Sequence, residues 1–401
     1  MQKWWQSPVL SRPDSERRAN WLELFYDLVF IAAVIELGSY FHGELTPVGT
    51  LRYVFLFLIV WWSWSGTTYY ENRFIADDAL HRILIFFQIF FIGSLAGNIP
   101  RAFGEGAAIF AFSYAALRII LIFMYARAYR AVPNSRPLIR NYTAGFSLGI
   151  LCFIISMFVP APWNYVLWGL GIGAEFLGHM LFGTQKLEAH FPFNLNHLSE
   201  RYALFIIIVL GDSFIKAIGR TAEEGVGPNT YIFGALGVLM TVSLWCTYFD
   251  DVAEAALRQG YDSLTSWVYA HFPLSVAIVG FGVAVEDVTQ LRVGVPMEMP
   301  LFWLLYLSVG GYLLATSWVD YLTETRTPQL GLERVYMRTF SGLGLVAFAV
   351  LYDYLGWELS APWTVGIVAG VCAAQIIYDL SHSREKSEVH AEVQTEAQTG
   401  D

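Results

Sequence analysis

Residues 21–40 read WLELFYDLVFIAAVIELGSY, a stretch apolar enough to cross a bilayer that still carries Glu23, Asp27 and Glu36. An ionised carboxylate near the centre of a membrane helix costs about 2.5–3.5 kcal/mol on insertion scales. Groups that expensive are neutralised by a partner, protonated, or kept in contact with water. Glu23 and Asp27 are four apart and share one helical face. Glu36 is turned by about 900° from Asp27, which puts it near the opposite face. The segment therefore cannot be a simple lipid-facing anchor. At Asp27 it must look into protein or water.

The rest of the chain fits that membrane reading. Of 401 residues, 56% are hydrophobic and only 14% charged, against about 25% charged in soluble domains. Cys152, Cys246 and Cys372 all fall inside apolar stretches, which argues against a disulfide framework or a Cys-rich metal site. No basic stripe or nucleic-acid motif is present, and no cofactor is implied. The first twenty residues are polar and lack the apolar core of a signal peptide. Residues 1–20 read as a basic cytoplasmic leader, with Trp4 and Trp5 placed for the interface.

Twelve apolar spans follow, at 21–42, 50–70, 79–99, 106–127, 139–159, 163–182, 199–219, 229–249, 265–286, 299–320, 335–354 and 361–380, each near the roughly 20 residues a bilayer needs. Residues 383–401 are polar, Glu-rich and without aromatics, a composition that predicts disorder. With the amino terminus inside, cytoplasmic segments hold eighteen Lys and Arg, external ones five, and Arg118 lies within a span. That bias places both termini in the cytoplasm.

The two halves echo each other. Ala161-Pro162-Trp163 opens the sixth span and Ala361-Pro362-Trp363 the twelfth. The second span ends in Thr68-Tyr69-Tyr70-Glu71, the eighth in Thr247-Tyr248-Phe249-Asp250. His81 and His271 come early in the third and ninth, and Glu23 with Phe25 can be set against Glu200 with Tyr202. Matches in consistent order predict an all-α membrane protein of twelve transmembrane helices, built as two parallel six-helix repeats, 21–182 and 199–380. Such repeats are related by an axis along the membrane normal.

The run Glu23-Leu24-Phe25-Tyr26-Asp27-Leu28-Val29-Phe30 resembles the opening signature of the low temperature requirement A (LtrA) family of bacterial membrane proteins. Glu200-Arg201-Tyr202-Ala203-Leu204-Phe205, running on to Gly211-Asp212-Ser213, resembles that family's second recurring block. Family members more often have Glu at the position of Asp212. The resemblance implies a polytopic inner-membrane protein and supplies no chemistry.

Intramembrane ionisable residues are functional-site hypotheses by default. Asp27 reads as a proton or cation ligand in a cytoplasm-facing vestibule, or as half of an ion pair between helices. Glu23 reads as an interfacial residue stabilised by the helix dipole. Arg118 keeps its charge in any environment and needs a carboxylate, with Asp27, Glu175 and Asp212 available; a structural salt bridge competes with an anion site. Glu175 and His179 share a face and suit either a proton relay or a helix-packing pair. Asp212 and Lys216, also four apart, can neutralise each other. Trp61, Trp62, Trp64, Tyr69 and Tyr70 read as an interfacial aromatic belt.

No phosphate loop, dinucleotide fingerprint, nucleophile elbow or zinc-protease motif occurs. The connections between spans leave no room for a soluble catalytic domain. The leading expectation is an ion-coupled, proton-driven transporter of a small solute or ion, with no enzymatic activity. The alternatives are a two-repeat cation channel and an intramembrane enzyme using Glu175 and His179. Phe25-Tyr26-Asp27 is similar to the Phe-Ser-Asp opening of a twelve-span endolysosomal potassium-channel family, departing from it at Trp21 and Tyr26. Topology is testable first. Reporters fused at Asp401 and within residues 221–228 should read cytoplasmic and external respectively, and an external reading at Asp401 would refute the assignment.

Overall fold

A computed structural model of the chain describes residues 4–12, 17–180, 184–224, 227–250, 256–257, 261–324 and 328–399. Among them the helices are α1 (Trp21–His42), α2 (Pro47–Arg73), α3 (Ala79–Ala96), α4 (Ala107–Ala131), α5 (Arg136–Ser156), α6 (Trp163–Met180) and the short α7 (Thr184–His190). They continue as α8 (Leu195–Glu224), α9 (Pro228–Phe249), α10 (Tyr261–Val288), α11 (Met299–Tyr321), α12 (Pro328–Leu355) and α13 (Ala361–Thr399). Ten helices, α1–α5 and α9–α13, are long and apolar enough to cross a membrane. The other two expected spans, 163–182 and 199–219, fall on α6 and α8, which are not among those ten.

Helix ends follow local chemistry. Asn20 caps α1 by accepting from the amides of Leu22 and Glu23, and Glu23 returns a bond to the Asn20 amide, the reciprocal capping box. Thr46 and Asp78 cap α2 and α3 in the same way, with Pro47 at the first position of α2. The last helix continues to Thr399, through residues whose composition predicts disorder. Glu, Ala, Gln and Lys there have high helix propensity, which favours a helix by local preference.

The chain divides into two compact units, Met1–Val209 and Leu210–Asp401. The sequence places the break between 182 and 199. The division comes later because the first part of α8 is tied by ion pairs to α1 and α2. In the first unit α1 packs on α2 and α3, and α3, α4, α5 and α6 pack in sequence. Outward faces carry large apolar residues such as Phe86, Phe87 and Phe90, as a surface against lipid requires. In the second unit α10 packs on α11, α11 on α12, and α9 on α13. Its buried Asp320 receives Arg338 at 3.1 Å and Arg334 at 3.5 Å, and Arg338 also reaches Asp379 at 3.3 Å.

α2 is unlike the others. Every residue from Ile59 to Arg73 is buried, although the run includes Ser63, Ser65, Thr67, Thr68, Glu71, Asn72 and Arg73. The aromatic-belt expectation fails here: Trp61, Trp62, Trp64, Tyr69 and Tyr70 all lie inside the bundle. Hydropathy locates such residues along the membrane normal and says nothing about which side of a helix is covered. A helix buried all round belongs to the interior.

The leader is bound as a strap over one end of the first unit. Its strand β1 (Val9–Leu10) pairs antiparallel with β2 (Phe74–Ile75), just after α2. The Gln6 amide donates to Asp78 at 3.0 Å, and Arg127 donates to both Asp78 (2.7 Å) and the Gln6 carbonyl (3.1 Å). The Arg127 guanidinium sits over the Trp5 ring, 4.9 Å from its centroid. Further along, Asn194 donates to the Arg12 carbonyl and Arg17 to the Glu71 carbonyl at 2.7 Å.

Burial alone would raise the Asp78 carboxyl, but the Gln6 amide, the Arg127 guanidinium and the His81 amide outweigh it and hold it below its ordinary value. A carboxylate depressed in the folded state contributes stability above its unfolded value, and that contribution is lost as pH falls through the folded one. Hydrogen exchange in residues 4–12 should therefore stay slow at neutral pH and quicken only on acidification below the ordinary Asp range. Asp78→Asn should quicken it already at neutral pH. Fast exchange of the wild-type strap at neutral pH would contradict this account.

Candidate functional site

The site grows from the first turns of α1 and α8 and the last turn of α2. Arg201, on α8, is fully buried. Its Nε donates to Asp27 Oδ2 at 3.0 Å and its Nη2 to Asp27 Oδ1, a two-pronged pairing. Its Nη1 donates to Glu71 Oε2 at 2.6 Å. The indole of Trp64 adds a donor to Asp27 Oδ1 at 2.7 Å. Burying any of these charges alone costs several kcal/mol, a penalty offset only when geometry and hydrogen bonds are as complete as this.

Glu23 lies beside this pair and is buried among protein groups, 3% exposed. Arg17 reaches it at 2.7 Å and His197 Nε2 at 2.8 Å. The orientation of that histidine follows from its other neighbours. Asn72 accepts from the Asn194 amide through Oδ1 and donates to the Asn194 carbonyl through Nδ2, so its amide has one workable orientation. Its Nδ2 then faces His197 Nδ1 at 3.1 Å, which must be the acceptor. The proton of the neutral ring is thereby assigned to Nε2, donating to Glu23.

On α3, His81 Nε2 stands 3.7 Å from Glu71 Oε1, and His81 Nδ1 is buried without a hydrogen-bond partner. Taking these groups together, Glu23, Asp27 and Glu71 face Arg17 and Arg201. With His197 neutral, three carboxylates meet two guanidinium groups among the described residues.

A second polar layer lies further along α2. Arg118 Nη2 pairs with Glu175 Oε2 at 2.7 Å, Tyr114 bridges Arg118 and Glu175 at 3.0 Å to each, and the Trp62 indole donates to Glu175 at 2.9 Å. Gly66 is required there, since a Cβ at that position would stand 2.5 Å from Arg118 Nη1. This layer is charge-matched.

Arg118 thus pairs with Glu175 and not with Asp27, whose partner is Arg201. Several cations were chemically eligible, and spacing along one helix cannot choose among helices. Glu175 points to Arg118, while the side chain of His179 lies outside the described residues. Asp212 and Lys216 meet each other at 2.9 Å, partly exposed, and do not join either layer. Glu71, His81, His197 and Arg201 were not singled out as site residues by sequence reasoning. Arg201 and Glu71 were treated as span-end charges because the helices were started late and ended early. One signal was present: Arg201 belongs to the second block carrying the family resemblance, and Asp27 to the first. The two blocks meet in this ion pair.

Removing one member of a buried pair typically costs 3–5 kcal/mol, because the other charge is left uncompensated. Arg201→Gln should lower thermal stability in detergent by that order, and Asp27→Asn added to it should recover part of the loss. Asp27→Asn and Arg118→Gln should instead combine additively. Strong coupling between Asp27 and Arg118, with none between Asp27 and Arg201, would refute the pairing.

Two comparisons with known proteins bear on this arrangement. An uncharacterized protein of Rhizobium meliloti (strain 1021) is 24% identical over 390 residues, covering 93% of this chain and 92% of its own. The model of the bacterial low temperature requirement A protein family matches residues 18–377, a region that contains both polar layers except Arg17. The chain belongs to the LtrA family of bacterial membrane proteins.

Proposed function

We propose that this LtrA protein is a proton-coupled transporter of a small solute or ion. In this reading it crosses the bacterial inner membrane twelve times, α6 and α8 supplying the spans beyond the ten long apolar helices, with both termini cytoplasmic. The halves 21–182 and 199–380 are parallel repeats. Support for the repeats comes from each unit taken separately. α3 packs on α4, α4 on α5 and α5 on α6 in one, and α10 on α11, α11 on α12 and α12 on α13 in the other. His81 faces Glu71 at the end of α2, and His271 bonds Tyr248 at the end of α9 at 2.9 Å.

The observation that carries the transport reading is the charge imbalance around Arg201. A structural ion pair needs equal numbers of opposite charges, as Arg118 and Glu175 have. A surplus carboxylate in a buried cluster is instead a place for a cation, and a proton fits where all ligands are already hydrogen-bonded protein groups. The polar, buried second half of α2, Ile59 to Arg73, is the stretch along which such a site is lined. Nothing about the cluster resembles a nucleophile with its base and oxyanion donors, the arrangement an intramembrane hydrolase requires.

The test is flux. Purified protein in sealed vesicles containing a pH-sensitive dye should dissipate an imposed pH gradient, and Asp27→Asn, which leaves Arg201 short of a partner, should lower that flux and thermal stability together. Channel-like unitary currents in planar bilayers would favour the channel alternative. No flux from folded wild-type protein under either polarity would overturn transport altogether.

A further inference from the structure

We propose that Glu71 and His81 together form the proton-binding site of this cluster, holding one exchangeable proton between them; the assignment rests on the proton-coupled reading above. The oxygens of the three carboxylates are not equivalent. Both Asp27 oxygens are occupied by donors that cannot give up their hydrogens, two from Arg201 and one from Trp64. Both Glu23 oxygens are likewise filled: Arg17 donates to one, and His197 and the Asn20 amide to the other. Each of these four oxygens already accepts at least one hydrogen bond, so a proton is less well placed there than on an oxygen that accepts none.

Glu71 differs. Arg201 occupies Oε2, while Oε1 is turned toward His81 Nε2 across a 3.7 Å gap. His81 is itself 6% exposed, and its Nδ1 has no acceptor. One added proton resolves the surplus charge, either as imidazolium facing carboxylate or as carboxylic acid facing imidazole, and the two forms differ only in which heavy atom bears it. A small approach of the two side chains closes the gap to hydrogen-bond distance. No bond other than O–H or N–H forms or breaks, and the proton comes from bulk water.

The surroundings are consistent with one proton and no more. Around Glu71 stand Arg201, Asp27, Glu23 and the phenol of Tyr26. Around His81 stand Asp78, whose Oδ1 takes the His81 backbone amide, then Arg127, Asp77 and Glu23. Asp78 and Arg127 already neutralise each other at 2.7 Å. What remains uncompensated is the Glu71 side of the pair. Arg17 closes the site from outside by donating to the Glu71 and Asn72 carbonyls, so the leader strap lies on the route a proton takes from that end of α2.

The experiment is proton-exchange infrared spectroscopy on the full chain in lipid nanodiscs, comparing acid and alkaline samples in light and heavy water. The wild type should show one carboxyl or imidazole band that titrates and shifts on exchange. Glu71→Gln should remove it, and His81→Gln should retain a carboxyl band but change its titration. If Glu71→Gln does not fold, His81→Gln together with nitrogen-15 spectra of wild-type His81 decides the matter. A ring that keeps one tautomer with no change in protonation, and no altered carboxyl titration in the variant, overturns the proposal. Vesicle flux separates this from the parent reading. Proton-coupled flux whose pH dependence is unchanged in both variants refutes the Glu71–His81 site alone, whereas a titrating Glu71–His81 pair in a protein without flux upholds the site and refutes transport.

Discussion

Arg201 carries a charge that no membrane environment removes. Placing it inside a helical bundle obliges other helices to bring carboxylates to it, and this obligation organises the first unit. α1 supplies Asp27 and α2 supplies Glu71, with the plane of the guanidinium fixing the angle at which each arrives. Trp64 adds a third donor to Asp27 and packs against Tyr202 and Phe205, one and four residues beyond the arginine. The same turn of α8 presents His197 to Glu23, four residues before Asp27. Two helical turns of α8 and two of α1 are thereby locked in register, which is why the compact unit extends through Val209.

Against this, the layer at Arg118 shows what a purely structural solution looks like. One guanidinium meets one carboxylate, a tyrosine and a tryptophan add hydrogen bonds to the pair, and Gly66 and Gly149 give the two groups room. Both layers hang on α2, with Trp62 turned to one and Trp64 to the other. Residues two apart on a helix diverge by about 200°, so a single helix serves two neighbours on opposite sides. The contrast between a balanced layer and an unbalanced one is therefore drawn within a single element.

Much of this was legible in the sequence. Ten of the twelve expected spans coincide with long apolar helices because a bilayer fixes how many apolar residues a helix needs, and the interior placement of Asp27 followed from what an exposed carboxylate would cost. The partner of Asp27 was not readable. Arg118, the only cation deep within an expected span, was the one weighed against Asp27, Glu175 and Asp212, whereas Arg201, near the start of its expected span, was counted with the loops; α8 begins at Leu195 instead of near 199. The tryptophans of α2 were misplaced for a related reason. Composition registers that indoles prefer polar neighbours near apolar ones, a condition met equally by headgroups and by buried carboxylates. Glu71 and His81 lie at helix ends, where charged residues are ordinary, and only the three-dimensional arrangement sets them against a surplus of negative charge.

The leader strap has a practical side. Arg17 joins the chain's opening residues directly to Glu23 and to the last carbonyls of α2, and β1 holds the preceding stretch in place. A purification handle or fluorescent protein attached at the amino terminus is thus mechanically connected to the buried cluster. Its bulk bears on the strap with every thermal excursion. The same cargo attached at the carboxyl end hangs from α13, well away in sequence from any of those bonds. Handles for this protein are best placed there, and an amino-terminal one becomes a deliberate perturbation, a lever by which the cluster can be loosened from outside without altering a single residue within it.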